Sequence, residues 1–180
     1  MILPRHTTRG PARTGAMAIL IMLTAACAAP LTREEQLTVE RYLVCFECPA
    51  PLKAVQLLAD RKPRASVDSL DVALRRGPTV QRAAETDSLL HAGYTRDSTW
   101  RSRNARPALS PRDSVVSRDS SSYVNGYRAR GALGLGWIGT ARARRDLDEA
   151  IATGQLPPSV LAAARFARDS LPSANGPPRP

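Results

Sequence analysis

The sequence has few of the residues on which nucleic-acid binding depends. Aromatic residues make up 4% of its 180 residues, and lysine occurs only at Lys53 and Lys62, so arginine carries nearly all of the positive charge. The basic residues are scattered along the chain, and few aromatic rings are available for stacking on bases. Despite a formal net charge of +10, we therefore expect no nucleic-acid partner.

Strand patterns are also lacking, because no segment alternates apolar and polar residues with a period of two. Apolar residues recur instead three and four positions apart, the spacing that places them on one face of a helix. Thr32 and Glu35 form a predicted capping box, and Gly77-Pro78 predicts a helix end. We therefore predict an all-α fold. The predicted apolar stripes include Val39, Tyr42, Leu43 and Phe46; Val67, Leu70 and Leu74; Val80, Ala83, Ala84 and Leu90; Ala143, Leu147 and Ile151; and Val160, Ala163 and Ala167.

The beginning of the chain contains no acidic residue and only a short apolar run. Arg5, Arg9 and Arg13 precede the run Ala16–Ala26, which ends in small residues. This run is about half the ~20 apolar residues that a helix needs to cross a bilayer. A basic start, a short apolar centre and a small-residue exit predict a secretory signal over residues 1–26.

The residues at the end of this segment, Leu23-Thr24-Ala25-Ala26-Cys27, resemble the lipobox of bacterial lipoproteins. The resemblance implies that Cys27 is lipidated and heads the mature chain, with residues 27–33 as a flexible leash. The membrane is then a partner through the lipid, and the protein lies in the bacterial cell envelope, facing the periplasm or the exterior. The absence of aspartate at Ala28 favours the outer membrane. Removal of three arginines lowers the net charge to +7.

Only two cysteines follow Cys27, and they form the CxxC motif Cys45-Phe46-Glu47-Cys48. An i, i+3 pair at a helix end brings two sulfurs close enough to bridge, and an exported chain meets oxidising conditions. We therefore predict a Cys45–Cys48 disulfide, with free structural thiols as another possibility. The alternative function is a small redox or metal-handling lipoprotein using this pair. A structural zinc site is excluded, because it needs four ligands.

A polar segment divides the predicted helices into two units. Residues 95–113 are rich in arginine and serine and are interrupted by Pro107 and Pro111, which predicts a loop or linker anchored only by Trp100. The flanking units are predicted over 34–94, with a fourth helix ending near Gly93, and over 114–171. The tail, 172–180, has little apolar content and is predicted to be disordered.

The stretch from Tyr127 to Leu171 resembles a bacterial HEAT repeat, including those of the phycobilisome-lyase type. The resemblance implies short helical hairpins, stacked as an α-solenoid or packed as a compact bundle, with 34–94 as a degenerate unit. Helical repeats present an extended surface, which predicts a role in binding or scaffolding an unidentified protein partner. By elimination of catalytic motifs we expect no enzymatic activity, although the resemblance alone also allows an enzyme accessory. The residues that carry the resemblance are Arg130, Ala132, Leu133, Gly134, Ile138, Gly139, Ala143, Leu147 and Ile151, followed by Pro158, Val160, Ala163 and Ala167.

Five arginines in this stretch form the predicted partner-binding site, a basic groove for an acidic partner or a lipid headgroup; they are Arg128, Arg130, Arg142, Arg144 and Arg145. The alternative is that they only cover a solvated helix face. No catalytic residue, metal ligand, cofactor or small-molecule substrate is predicted.

Two further motifs are interpreted as structural. Gly134-Leu135-Gly136-Trp137-Ile138-Gly139 satisfies G-x-G-x-x-G but lacks the preceding strand that a dinucleotide site needs. It therefore predicts close helix packing before a turn. His91 is the only histidine after the leader, and we expect it to lie at a helix end in a surface or capping role.

Overall fold

The computed structural model describes residues 31–44, 51–61 and 63–170, and within them it contains α-helices and no strand. The predicted all-α class is therefore confirmed. The helices are α1 (Arg33–Val44), α2 (Pro51–Arg61), α3 (Pro63–Arg76), α4 (Val80–Arg103), α5 (Arg112–Ile138), α6 (Ala141–Ala152) and α7 (Pro158–Ser170).

Local sequence signals explain where several of these helices begin and end. The predicted capping box is confirmed, because the Thr32 amide donates to the Glu35 carboxylate (2.9 Å) and the Glu35 amide donates to the Thr32 hydroxyl (3.2 Å). The hydroxyls of Thr79 and Thr140 likewise accept amide hydrogen bonds at the starts of α4 and α6. Gly77, which follows α3 as predicted, has a φ of +77°, a conformation that favours glycine.

The C-terminal half of α5 is the centre of the fold. Helix α5 packs against each of the other six described helices, and its buried residues concentrate between Gly131 and Ile138. Most of the predicted apolar stripes contribute to the same core. They supply the buried residues Val39, Tyr42, Leu43, Val67, Leu70, Leu74, Ala143, Leu147, Val160 and Ala167.

Two glycines of α5 allow this central helix to approach α3 closely. A Cβ atom added at Gly131 would lie 2.7 Å from the Leu74 amide nitrogen and 2.8 Å from the Leu70 carbonyl oxygen. A Cβ atom at Gly134 would lie 2.9 Å from the Leu70 methyl groups. The crossing of α5 over α3 therefore depends on the absence of side chains at these positions.

Helix α4 differs from the sequence prediction in its length and its burial. The loop predicted over 95–113 is shorter than expected: α4 continues through Arg103 and α5 begins at Arg112, so only 104–111 is non-helical. The apolar stripe predicted for this helix is not buried: α4 has no buried residue, and Val80 is exposed. The physical reason is that α4 packs mainly along the N-terminal half of α5, outside the core.

The leash predicted over 27–33 ends earlier than expected, since Arg33 already belongs to α1. None of the helices among the described residues has the length and the apolar composition needed to cross a bilayer.

Candidate partner-binding site

Arg128 and Arg130, two of the five arginines of the predicted groove, are used inside the fold. The Arg128 guanidinium donates to the Leu74 carbonyl oxygen (2.9 Å), near the C-terminal end of α3. The Arg130 guanidinium donates to the Tyr42 carbonyl oxygen (2.8 Å), near the end of α1. Cations in these positions satisfy helix-end carbonyls and interact favourably with the helix dipole. Both side chains therefore tie α5 to a helix of the N-terminal unit.

Tyr42 completes the second of these contacts. Its hydroxyl donates to the Arg130 carbonyl oxygen (3.0 Å), so Tyr42 and Arg130 bond to each other's backbones. Burial raises the pKa of the Tyr42 phenol above its usual range, although the Arg130 charge opposes this. Burial also lowers the pKa of Arg130, and the interaction with Tyr42 opposes this by raising it. The pair is an internal clamp, not an open binding surface.

Arg142 and Arg75 form an ionic seam between α3 and α6. Arg142 pairs with Asp68 and lies 3.8 Å from Asp146 on its own helix. Arg75 bonds to Asp71 (2.7 Å) and Glu149 (3.0 Å), and it donates to the Asp146 carbonyl oxygen (3.2 Å). The seam holds α6 against α3 by charge-assisted hydrogen bonds.

The titration of the seam reflects its partial burial. Burial raises the pKa of Asp146, and the neighbouring Asp71 charge raises it further, while Arg142 and Arg75 lower it. The hydrogen bond to Asp71 raises the pKa of Arg75. Acids and bases thus compensate one another along the middle of the seam.

The end of the seam opens into a cleft of about 470 Å³ that is lined by Arg64, Val67, Thr140, Arg142 and Arg145. Arg64 and Arg145 are exposed, and neither forms an ion pair or a side-chain hydrogen bond within the described part of the chain. None of the described residues that line this cleft carries a carboxylate. Arg142 is paired with Asp68, so the positive charge that lacks compensation among the described residues is that of Arg64 and Arg145.

Helix geometry adds to the positive potential of this cleft. Thr140 is the N-cap of α6, and its hydroxyl accepts from the Ala143 amide (3.2 Å). The amide dipoles at the start of a helix favour a negative charge nearby. Val67 supplies a small apolar element to the lining.

The sequence prediction therefore found only part of this arrangement. Arg142 and Arg145 meet in the cleft, whereas Arg128 and Arg130 contact other helices, and Arg144 is half-buried and does not line it. Arg64 was missed because it lies far away in sequence, and a single exposed arginine gives no local signal.

The two motifs interpreted as structural occupy distinct settings. Gly134 and Gly136 lie inside α5, and Gly139 ends that helix with a φ of +62°. The prediction of close helix packing before a turn is confirmed. A phosphate-binding loop has the opposite arrangement, because its glycines precede a helix.

His91 lies in the middle of α4, so its predicted position at a helix end is wrong. Its Nδ1 accepts from Arg112 (3.0 Å), and its Nε2 lies 3.5 Å from the Asp87 carboxylate. Ser120 donates to Asp87 (2.8 Å) and not to the imidazole. A catalytic triad requires the hydroxyl to contact the imidazole, so these side chains instead connect α4 to α5.

The predicted lipidation site, Cys27, and the predicted disulfide, Cys45 and Cys48, lie outside the described residues. Within the described ranges, no cluster of histidine, cysteine or acidic side chains has the arrangement of a metal site. No protein-family model matches the chain, and no curated protein or solved structure is significantly similar to it.

Proposed function

We propose that this protein is a non-enzymatic bacterial envelope protein whose helical domain binds an acidic segment of a partner protein. The observation that carries the proposal is the cleft between α3 and α6, where Arg64 and Arg145 have no ionic partner among the residues that the structure describes. Their guanidinium groups remain available to a ligand, whereas most other arginines of this region are already bonded within the fold.

An acidic peptide fits the chemistry of the cleft. A guanidinium presents parallel N–H donors that match both oxygens of a carboxylate, and its charge persists at all physiological pH values. The start of α6 favours negative charge at the same end. A protein segment with two or more spaced carboxylates could therefore engage Arg64 and Arg145 together, with Arg142 between them exchanging its internal partner.

The envelope location is proposed from the sequence. The lipobox-like residues before Cys27 favour a lipid anchor at that cysteine, and Ala28 favours the outer membrane. The proposed anchor would present the domain at a membrane face, where the partner is expected.

The HEAT-like relationship is also a proposal, supported by burial of the residues that carry the resemblance. Ala132, Ile138 and Leu147 are buried in the core, and α5, α6 and α7 pack against one another. Of the two arrangements, the compact bundle is better supported, because one helix packs against all the others described. In an open stack, each unit contacts only its neighbours.

A peptide-binding measurement tests the proposed site. The probe is a fluorescently labelled glutamate-rich peptide, and its anisotropy is followed during titration with the purified protein. The Arg64→Gln/Arg145→Gln variant should weaken binding about tenfold, on the order of 0.7 kcal/mol for each exposed charge contact. Added salt should weaken binding of the unaltered protein, because exposed charges are screened.

The matched control is Arg41→Gln/Arg165→Gln, which removes the same charge from exposed positions on α1 and α7. Net charge alone would weaken binding equally in both variants, and that result would contradict a specific site. Circular dichroism of each variant checks that the helices remain.

The anchor requires a separate measurement, mass spectrometry of the protein from the membrane fraction after alkylation with and without reduction. We expect an acylated Cys27 as the first residue, with Cys45 and Cys48 alkylated only after reduction. A chain that starts at Met1 with three free thiols would overturn the envelope proposal. Cysteines that alkylate without reduction on a lipidated chain would overturn only the disulfide.

A further inference from the structure

The outer face of α4 combines large apolar side chains with arginines. Leu89, Ala92, Arg96, Trp100 and Arg103 are spaced by three or four residues, which places them on one side of the helix. Leu89 is 73% exposed and Trp100 is 54% exposed. The last four of these residues also line a shallow groove with Thr95 and Thr99. We call this set of five residues the outer face.

The outer face points away from the rest of the protein. The opposite side of α4 makes the contacts with α5 and its preceding loop, where Asp87 bonds to Ser120, His91 to Arg112, and Tyr94 to the Ser110 carbonyl. Asp87, His91 and Tyr94 lie on the side of α4 that faces α5, and the outer face lies on the opposite side. No described helix therefore covers Leu89 or Trp100. The helix has no buried residue, and Leu89 and Trp100 have no apolar partner among the described helices.

The charge of the outer face is positive and uncompensated. Within the described residues, Arg96 and Arg103 form no ion pair and no side-chain hydrogen bond. The nearest acid along this part of α4, Asp97, bonds instead to Arg101 (3.2 Å). Arg106, in the loop that follows, is also exposed. Glu85 marks the limit of the positive surface, about one turn before Leu89.

We propose that the outer face of α4 docks on the surface of a membrane that contains anionic phospholipids. Tryptophan favours the headgroup level of a bilayer, where its ring is apolar and its N–H can bond to polar groups. Arginine binds phosphate oxygens through paired donors. Alternating arginine with tryptophan and leucine on one face matches a surface that is both anionic and partly apolar.

The proposed lipid anchor would bring the outer face to the bilayer, and the docking proposal rests on that anchor for its location. Only six positions separate Cys27 from Arg33, where α1 begins. Even a fully extended chain of this length spans only about 20 Å. The domain is thus held within about one domain diameter of the membrane, and docking of α4 would fix which side it turns toward the lipid.

The test uses the full chain, purified from membranes and reconstituted in vesicles, with Trp137→Phe so that Trp100 is the only tryptophan. Vesicles contain either phosphatidylcholine alone or an equal mixture with phosphatidylglycerol, with bromine-labelled acyl chains as a fluorescence quencher. Flotation with phosphatidylcholine vesicles and the mass of the chain report the Cys27 anchor. Quenching of Trp100 in the mixed vesicles reports docking of α4. A missing lipid anchor and a failure of α4 to dock therefore give different results.

We expect Trp100 to be quenched by the mixed vesicles and to remain accessible to aqueous acrylamide in the neutral ones. Arg96→Gln/Arg103→Gln should shift the docking equilibrium about 20- to 30-fold toward the undocked state, since each arginine near an anionic surface contributes about fivefold. Arg41→Gln/Arg165→Gln, with the same loss of charge, should retain quenching.

Three outcomes would overturn the proposal. Trp100 could remain equally open to acrylamide in both kinds of vesicle. The Arg96→Gln/Arg103→Gln variant could lose binding of the glutamate-rich peptide while its vesicle quenching is unchanged, which would identify an acidic protein as the occupant. Trp100 could become protected in detergent as protein concentration rises, which would identify a second copy of the chain.

Discussion

Different forces hold two regions of the molecule together. One region is the core around the C-terminal half of α5, and the other is the hairpin that α4 forms with the N-terminal half of α5. In the core, Leu70, Leu135 and Leu147 are fully buried, and glycines let helices cross at backbone contact. In the hairpin, α4 has no buried residue, Val116 is the one buried residue in the N-terminal half of α5, and hydrogen bonds such as Ser120–Asp87 cross between the helices. Helix α5 therefore runs from the exposed hairpin in its N-terminal half into the buried core in its C-terminal half.

The hairpin shows that a helix can be specified without burial. Thr79 caps its start, the Asp97–Arg101 pair supports one face, and the Asn104 side chain donates to the Trp100 carbonyl oxygen (2.7 Å) at its end. Each such contact contributes only a few tenths of a kcal/mol to about 1 kcal/mol. Many weak local interactions therefore maintain α4, whereas the core depends on the volume of its buried side chains.

The largest expected effect comes from removing a core leucine. Leu70→Ala should lower the free energy of unfolding by about 3 to 5 kcal/mol, because a fully buried side chain is lost and a cavity remains. Leu89→Ala on the outer face should change it by less than about 0.5 kcal/mol. Urea unfolding followed by circular dichroism measures both. Similar losses for the two variants would show that α4 is covered in solution.

Glycine-to-alanine substitutions should also change the free energy of unfolding differently in the two regions. Gly131→Ala should cost about 2 to 3 kcal/mol, because the new Cβ meets backbone atoms of α3 that cannot rotate away. Gly134→Ala should cost less, since its closest contacts are the Leu70 methyl groups. Gly93→Ala has open space and should stabilise by about 0.5 to 1 kcal/mol through helix propensity. The same unfolding assay applies, and a reversed order would contradict the described crossing.

The smallest expected effect is a loss of stability that depends on pH in the core and not in the hairpin. Tyr42→Phe should cost about 1 kcal/mol at neutral pH through loss of the hydrogen bond to Arg130. Burial raises the Tyr42 pKa, so the phenol ionises first in the unfolded chain. The stability that Tyr42 contributes is therefore complete below pH of about 10 and falls as pH rises above it. The difference in unfolding free energy between the unaltered protein and the Tyr42→Phe variant should therefore narrow above a pH of about 10 and approach zero near a pH of about 11.

Unfolding free energies from neutral to alkaline pH provide the measurement, with Tyr94→Phe as the control. That substitution removes a hydrogen bond in the exposed hairpin and should cost less than about 0.5 kcal/mol. A Tyr42→Phe difference in unfolding free energy that stays constant across this pH range would show that folding does not raise the pKa of Tyr42.

The sequence predicted the fold class and much of the core because those features are local. The Thr32–Glu35 box, the Gly77 end and the stripe of Val67, Leu70 and Leu74 are all set by spacings within one helix. The end of helix α4 was mispredicted because the polar composition of residues 95–103 was given more weight than the absence of any helix-breaking residue there. Residues 95–103 are polar but contain no proline, and the first proline after Pro78 is Pro107, so nothing in the segment forbids a solvated helix.

The candidate site was only partly predictable, because its members come from distant parts of the chain. Arg142 and Arg145 are close in sequence and were identified, but Arg64 joins them only through the packing of α3 against α6. Conversely, Arg128 and Arg130 have the same local pattern as surface arginines. Their role became clear only from the carbonyl groups of Leu74 and Tyr42 that they reach.

These two arginine contacts also constrain when the domain can form. Arg128 lies 54 residues after Leu74, and Arg130 lies 88 residues after Tyr42, so α1 and α3 are synthesised long before the groups that complete them. Contacts between such distant positions slow folding, since the intervening chain must first be closed into a loop. A chain synthesised from its N-terminus therefore cannot complete these two contacts until α5 has been made.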